Sequence, residues 1–426
     1  MTSEKVYITA CSALSAAGHD LESHWEHVLA GQSKIDVCKA YDFSTWPSQL
    51  AGEISDFNWQ KALPDRKQMK VISKQDIMGL YAAHQVADKA GLTAYLADAK
   101  EHAVTRCDRT AVFVGSPGNK YFQQYDFLPL LAKAQDDMQA FAKHLFETVH
   151  PMWLLRILPN NVLAYAGINL HCKGVNHNVT NHAVGGLQAL IEAYWSIQTG
   201  QADRAIVIAY DIGNEPQARF YYEQLGVLSP DGLSPFDSHH NGTVLAEGAV
   251  AIILENQSSI AERQVKPVAE LLIGKSSSEG QGLFSLQDDG LALAELMQDT
   301  LNANQLTVSD IDVVIAHANG NQKSDDSEAL AIQAVFGDKG VAVTGFKWLM
   351  GHTLCASGLL DLALAAAAIK ANTIPALATC HSLAPTCQGL DVVQTHRTFT
   401  AKTAHALIIN RGFASMNVVA IIKGIE

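Results

Sequence analysis

Of the residues able to do chemistry, His182 has the most telling position. It lies in Val175-Asn176-His177-Asn178-Val179-Thr180-Asn181-His182-Ala183-Val184-Gly185-Gly186, which reads as a strand, a tight turn and a helix opening near Gly185. A side chain at such a turn stands at a helix N-terminus, where unpaired backbone N–H groups and the helix dipole favour negative charge. The place suits a thiolate nucleophile or an oxyanion. This chain puts an imidazole there. Two more histidines stand in short polar motifs. His317 opens His317-Ala318-Asn319-Gly320, followed by Asp325 and Glu328, and His352 lies in Gly351-His352-Thr353-Leu354-Cys355-Ala356-Ser357-Gly358. Lys347 precedes His352 by five residues (352 − 347 = 5), and Phe413 sits in Gly412-Phe413-Ala414-Ser415-Met416-Asn417.

The elements that must position these residues alternate in type. β-type runs fall at 6–9, 110–114, 174–180, 205–209, 248–254, 268–274, 313–316, 341–344, 405–409 and 417–422. Apolar spacing of three and four marks helices at 24–30, 77–90, 186–197, 291–302, 327–336 and 358–371. The alternation predicts an α/β protein with crossover helices covering its sheets. Glu255-Asn256-Gln257-Ser258-Ser259 is polar and reads as a turn-rich joint. No internal repeat is legible in the residues themselves.

Five blocks, in order along the chain, resemble the β-ketoacyl-(acyl carrier protein) synthases, the condensing enzymes of fatty acid and polyketide synthesis. The first is Val6 to Gly18 with Trp25 and Leu29-Ala30-Gly31, similar to the family's opening strand and helix. The second is Ser234-Pro235-Phe236-Asp237, Asn241-Gly242 and Glu247-Gly248-Ala249. The His317, Lys347-to-His352 and Phe413 segments are the other three. The resemblance implies a thiolase-like five-layer αβαβα fold made of two similar halves, 1–257 and 258–426. It also implies an insertion at about 119–153 that reaches the dimer interface and the acyl pocket.

In that family a cysteine attacks an acyl thioester. Two histidines assist malonyl decarboxylation, a lysine supports the second of them, and two backbone N–H groups hold the thioester oxyanion. By position, the resemblance assigns the histidine roles to His317 and His352, the lysine role to Lys347 and the gating and oxyanion role to Phe413. The backbone N–H of His182 is the other implied oxyanion donor. The nucleophile is absent, because His182 stands in its place. An acyl-imidazole hydrolyses readily and is a poor store for a growing chain. Cys355 and Cys172 lie near the elbow but not on it, and read as buried inert thiols. The chain departs from the pattern elsewhere too. Arg411 replaces an aromatic residue, Ala414 and Ser415 replace two glycines, and Asn319 and Asn321 replace small hydroxyl residues. Side chains at glycine positions restrict the backbone, so a stiffer gate is expected.

Composition bounds the rest. The chain has 426 residues, 48% hydrophobic and 17% charged, an ordinary globular balance. Its seven cysteines form no CxxC pair, so neither a disulfide framework nor a zinc ribbon is indicated. The N-terminus runs straight into a strand without a signal-peptide pattern. The most apolar run, 359–369, is interrupted by Asp361 and is too short to span a bilayer. A cytoplasmic protein without a membrane span is expected. The net charge of −13 argues against nucleic acid. It also makes this chain a poor docking surface for an acidic acyl carrier protein, a role that a partner subunit would supply.

Three functions follow from the resemblance. The first is a chain length factor, a cysteine-less homologue that forms a heterodimer with an active Cys-bearing ketosynthase and walls off its acyl tunnel. Such subunits serve bacterial aryl polyene and type II polyketide systems. Tyr121, Phe122, Tyr125, Phe127 and Trp153 are then candidates for setting chain length. The second is a malonyl-carrier-protein decarboxylase acting through His317 and His352. The third, a zinc site on His182, His317 and His352, lacks the outer shell of partners such sites need. The first reading is favoured, with no metal and no cofactor expected.

Overall fold

A computed structural model describes residues 4–98, 103–118, 122–149 and 151–425, without the side chains of residues 103, 104 and 122–126. Tyr121 and the side chains of Phe122 and Tyr125 therefore lie outside the described residues, as do Met1, Thr2 and Ser3. The strands are β1 (Val6–Ser15), β2 (Asp36–Val37), β3 (Leu50–Ala51), β4 (Thr110–Gly115), β5 (Asn176–Val179), β6 (Arg204–Ile212) and β7 (Glu247–Asn256). They continue as β8 (Ala269–Leu271), β9 (Lys275–Ser278), β10 (Val313–Ile315), β11 (Ala342–Thr344), β12 (Asp391–Val392), β13 (His405–Gly412) and β14 (Met416–Gly424).

β2 and β3 pair alone, and the rest join in the order β12-β11-β10-β13-β14-β8-β1-β7-β6-β4-β5, with β9 also on β14. The repeat that the residues hide is plain in this order. In the first half, β5, β4 and β6 run parallel, then β7 and β1 add antiparallel. In the second, β11, β10 and β13 run parallel, then β14 and β8 add antiparallel. The halves share one plan and meet where β8 pairs with β1.

Layering explains why the central strands are apolar on both faces. Every residue of β6 is buried. Its alternate residues Ala205, Val207 and Ala209 feed the central core, while Ile206, Ile208 and Tyr210 feed a separate outer one. β7 divides the same way, Val250, Ile252 and Leu254 against Ala249, Ala251 and Ile253. This is the period-two geometry of a strand sandwiched between helical layers. Helices Gly185–Gln198 and Ser357–Lys370 pack together between the sheets. Their crossing needs glycine: a Cβ on Gly186 would lie 2.5 Å from the Cys355 carbonyl oxygen, and one on Gly358 would lie 2.5 Å from Leu187. Helix Lys74–Lys89 covers the first sheet, and Leu291–Ala303 with Gln322–Phe336 covers the second. The result is five layers, α, β, α, β, α. No helix among the described residues is long and apolar enough to cross a membrane.

One expectation needs correction. The polar run at 255–259 is not a turn: Glu255 and Asn256 end β7, and Asn256 caps helix Gln257–Arg263 by accepting from the Ser259 N–H at 2.8 Å. Polar residues favour caps as much as turns, because their side chains bond nearby backbone. The 119–153 segment holds helices Phe122–Ala134 and Met138–Thr148 and the start of Trp153–Ile157. There Phe127 and Trp153 pack edge-on at 5.2 Å, so within this chain they satisfy each other.

Glu255 anchors a buried charge cluster at this joint. Its carboxylate accepts from Thr9, Ser259 and Arg263, each at 2.6 Å, with Arg204 at 4.0 Å. The side chains of all but Thr9 are buried. Glu255→Gln removes the carboxylate that pairs with the buried Arg263 guanidinium and should cost about 3–5 kcal/mol, read as a lowered midpoint in urea denaturation.

Candidate active site

The elbow forms where β5 ends at Val179 and the helix Gly185–Gln198 begins, with one tight helical turn, His182–Val184, between them. His182 has φ +44°, a left-handed conformation that costs an L-residue about 1–2 kcal/mol. This backbone turn projects the side chain away from the sheet and towards the β13–β14 hairpin.

Both ring nitrogens are taken. Nδ1 accepts the Phe413 backbone N–H at 3.1 Å, and Nε2 lies 2.6 Å from the Tyr222 hydroxyl. Burial pushes the ring's pKa down to about 4, so the imidazole is neutral at pH 7. A neutral ring that accepts at Nδ1 carries its proton on Nε2, and Nε2–H therefore donates to Tyr222. The His182 ring stacks on Phe413 at 4.2 Å, Phe413 stacks on Tyr222 at 5.3 Å, and Phe284 meets Phe413 edge-on at 5.1 Å. No lone pair is left for attack on a thioester. The implied oxyanion hole is corrected as well: its Phe413 donor is occupied by the very residue that replaces the nucleophile.

His317 follows β10, held by Glu328, whose carboxylate accepts the N–H groups of His317 (2.6 Å) and Ala318 (2.9 Å). Burial pushes the Glu328 carboxyl up to about 7, while Arg411 and these two bonds oppose the rise. Asp325 holds the same loop by accepting from Phe236 N–H, Gly320 N–H and His240 Nδ1. The two acids are therefore scaffold for the histidine. His317 Nδ1 accepts from the Arg411 N–H at 3.3 Å, which leaves the ring's proton on Nε2, and the residue lines the cavity. His352 lies edge-on to His317 at 5.2 Å, and its buried Nδ1 has no partner among the described residues. Burial first, then the charge of Lys347, holds both imidazoles far below their usual pKa.

Lys347 departs from its implied role. Its ammonium donates to Asp361 at 2.6 Å, both side chains being buried, rather than to a histidine. It acts on the histidines through charge alone. Asp361 had a legible signal, as the lone acid in an otherwise apolar helix.

The Phe413 loop is bolted to the segment 279–287. The Ala414 N–H donates to the Leu283 carbonyl (2.6 Å), the Glu279 N–H to the Ser415 carbonyl (2.8 Å), and Ser415 Oγ reaches the carbonyls of Gly282 (3.0 Å) and Ser285 (2.7 Å). Arg411 braces the base of the loop, bonding Glu279 at 2.8 Å and Asn417 at 3.0 Å. Ala414 and Ser415 sit at φ +61° and +56°, the region that glycine adopts without strain.

Two cavities result. One, of about 110 Å³, is lined by His182, His317, His352, Asn319, Arg411 and Phe413. The other, of about 600 Å³, lies beyond the aromatic stack and shares His182, Tyr222, Phe284 and Phe413 with the first. Four of the five residues singled out by sequence thus meet at one place, and Lys347 stands behind them. Neither Phe127 nor Trp153 lines either cavity. Tyr222 and Phe284 carried no legible signal, because aromatic residues in a helix and a loop look like ordinary packing. Cys355 is buried and its thiol is held far above its usual pKa by burial, while burial pushes Cys172 up to about 12. No group of three His, Cys, Asp or Glu side chains among the described residues is placed to hold a metal ion.

Two outcomes follow. Ala414→Gly relieves a left-handed φ and should stabilise the fold by about 1 kcal/mol in urea denaturation. His182 stays neutral in the folded chain down to about pH 4 but protonates near 6.5 when unfolded. Between those values the unfolded state binds more protons, so this contribution to stability is full above 6.5 and falls as pH drops towards 4. Stability measured against His182→Gln should therefore decline over that window, the carboxyl contributions common to both proteins cancelling.

Residues 3–259 match the family described as "Beta-ketoacyl synthase, N-terminal domain", and residues 268–381 match "Beta-ketoacyl synthase, C-terminal domain". The 3-oxoacyl-[acyl-carrier-protein] synthase 2 of Coxiella burnetii is 25% identical over 386 residues, covering 88% of each chain. Its counterpart from Staphylococcus aureus strain COL is 24% identical over 432 residues, covering 99% of each. Among solved structures, the ishigamide ketosynthase/chain length factor superposes over 100% of both chains with TM-score 0.87 and 22% identity. A type II PKS acyl-carrier protein in complex with its ketosynthase gives TM-score 0.83 and 19% identity, again over 100% of both chains. The chain has the thiolase-like fold and belongs to the β-ketoacyl synthase family.

Proposed function

We propose that this chain is a non-catalytic ketosynthase-like subunit, a chain length factor. It pairs with a Cys-bearing β-ketoacyl synthase and helps to shape the tunnel in which that partner extends an acyl chain. One observation carries the reading. His182 stands at the elbow with both ring nitrogens engaged, and it also occupies the Phe413 N–H. Covalent acyl transfer needs a free nucleophile and an open pair of oxyanion donors; here the nucleophile is absent and the Phe413 N–H is occupied.

The surface supports a partner. β5 ends the sheet, with Asn176 and His177 exposed, and a terminal strand leaves backbone groups open to pairing. Nearby in sequence, Leu128, Met138, Phe146, Leu154 and Ile168 are all more than half exposed, Phe146 at 95%. Apolar residues concentrated in one segment mark an interaction face. The ishigamide ketosynthase/chain length factor, similar in fold, motivates a heterodimer with a synthase. The acyl-carrier protein complex motivates a carrier that docks on the partner subunit, since this chain's net charge is −13. An aryl polyene or type II polyketide product suits the same reading, and Phe127 and Trp153 remain candidates for limiting chain length at the joint surface.

A second reading, malonyl-carrier-protein decarboxylation by His317 and His352 without a nucleophile, has in its favour that both histidines line the smaller cavity. The occupied Phe413 N–H and a cavity of only about 110 Å³ weigh against it.

Native mass spectrometry of the chain, expressed alone and then with a Cys-bearing synthase, separates the outcomes. A one-to-one complex is expected. A stable homodimer that ignores the synthase overturns the proposal. Alone, the chain should show no acyl adduct when given acyl-carrier thioesters, and release of carbon dioxide from malonyl-carrier protein would instead favour the second reading.

A further inference from the structure

The larger chamber has a chemistry that the acyl-transfer residues leave unexplained. Its mouth is marked by Tyr221, which is 54% exposed, while Gln75, Asp211 and Glu215 are 4%, 8% and 9% exposed and form its floor. Glu215 precedes the helix Pro216–Gln224, yet its side chain makes no cap bond, and its carboxyl accepts no hydrogen bond among the described residues. Gln75 is buried, and its amide oxygen Oε1 has no hydrogen-bond partner among the described residues. A flip of that amide presents either its oxygen or its nitrogen to the chamber. Asp211 accepts from the backbone N–H groups of Ile212 (2.8 Å) and Cys355 (3.2 Å), which leaves further lone pairs.

Among the described residues these acids have no ion-pair partner of their own. Among the described residues no lysine or arginine lines the chamber. The nearest base acting on Glu215, Lys74, donates to Glu247 at 2.6 Å. Burial pushes both carboxyls up to about 7. A plain alkyl chain laid over them would seal them further from water and raise that cost. A positive charge would remove it. The walls suit a cation as well, because the aromatic residues Tyr221, Tyr222 and Phe284 line them.

We propose that this chamber binds a ligand carrying a protonated amine on a short apolar stem. The ammonium seats between Glu215 and Asp211, with the Gln75 amide oxygen as a third acceptor, and the stem runs along Tyr222 and Phe284. The proposal uses only side chains of this chain and stands whether or not the chain pairs with a synthase.

Calorimetric titration of hexylammonium, hexanol and hexanoate into the purified chain tests it, at about pH 8 where the carboxyls are charged. Hexylammonium should bind at least about tenfold more tightly than hexanol, and hexanoate should not bind. Glu215→Gln should weaken hexylammonium by about tenfold or more and leave hexanol unchanged. Asp211→Asn carries the same expectation if Glu215→Gln does not fold, as judged by thermal melting. The proposal fails on any of three results: no binding of hexylammonium, equal binding of the alcohol, or a charge-removing variant that binds the amine as tightly as the wild type.

Discussion

The hydrogen bond from the Phe413 N–H to His182 Nδ1 sets the state of everything around it. It requires a neutral ring, which burial supplies, and it fixes the tautomer that turns Nε2–H to Tyr222. It draws Phe413 flat against the imidazole and so completes the aromatic wall between the two cavities. It links the elbow of the first half to the last hairpin of the second. A thiol at the same place could neither accept with this geometry nor stack, so the substitution does more than delete a nucleophile. It replaces a reactive position with a structural contact.

The supporting loop shows the same exchange. Where mobility would need glycine, Ala414 and Ser415 hold left-handed backbone, and Ser415 ties the loop to the segment that presents Phe284. Arg411 takes a buried position and spends its donors on Glu279, Asn417 and Ser324. Each contact is modest alone, but together they set one closed arrangement. The preserved histidines face a cavity too small for more than a few atoms, behind a wall braced on both sides.

Much of this was legible in the sequence. Strand and helix placement followed from periodicity, because the layered fold demands two-faced strands and one-sided helices. The elbow, His317, His352 and Phe413 are legible because each sits in a short motif that resembles the β-ketoacyl synthase pattern. What the sequence hid depended on contacts between distant segments. Tyr222 reaches His182 across 40 residues and Phe284 reaches Phe413 across more than a hundred, and neither residue type announces such a role. Lys347 was placed in the right neighbourhood with the wrong partner, since only the fold brings Asp361 within 2.6 Å. The polar run at 255–259 reads as a turn because capping residues and turn residues are the same residues.

The pairing of β8 with β1 has a consequence for how the molecule holds together. β8 belongs in sequence to the second half, yet it bonds β1 of the first on one side and β14 on the other. Helices Gly185–Gln198 and Ser357–Lys370, one from each half, share a single core between the sheets. Neither half can open without stripping the other of both a strand partner and a buried face. Cooperativity therefore extends over the whole chain: the two similar halves are a repeat in design but one unit in unfolding.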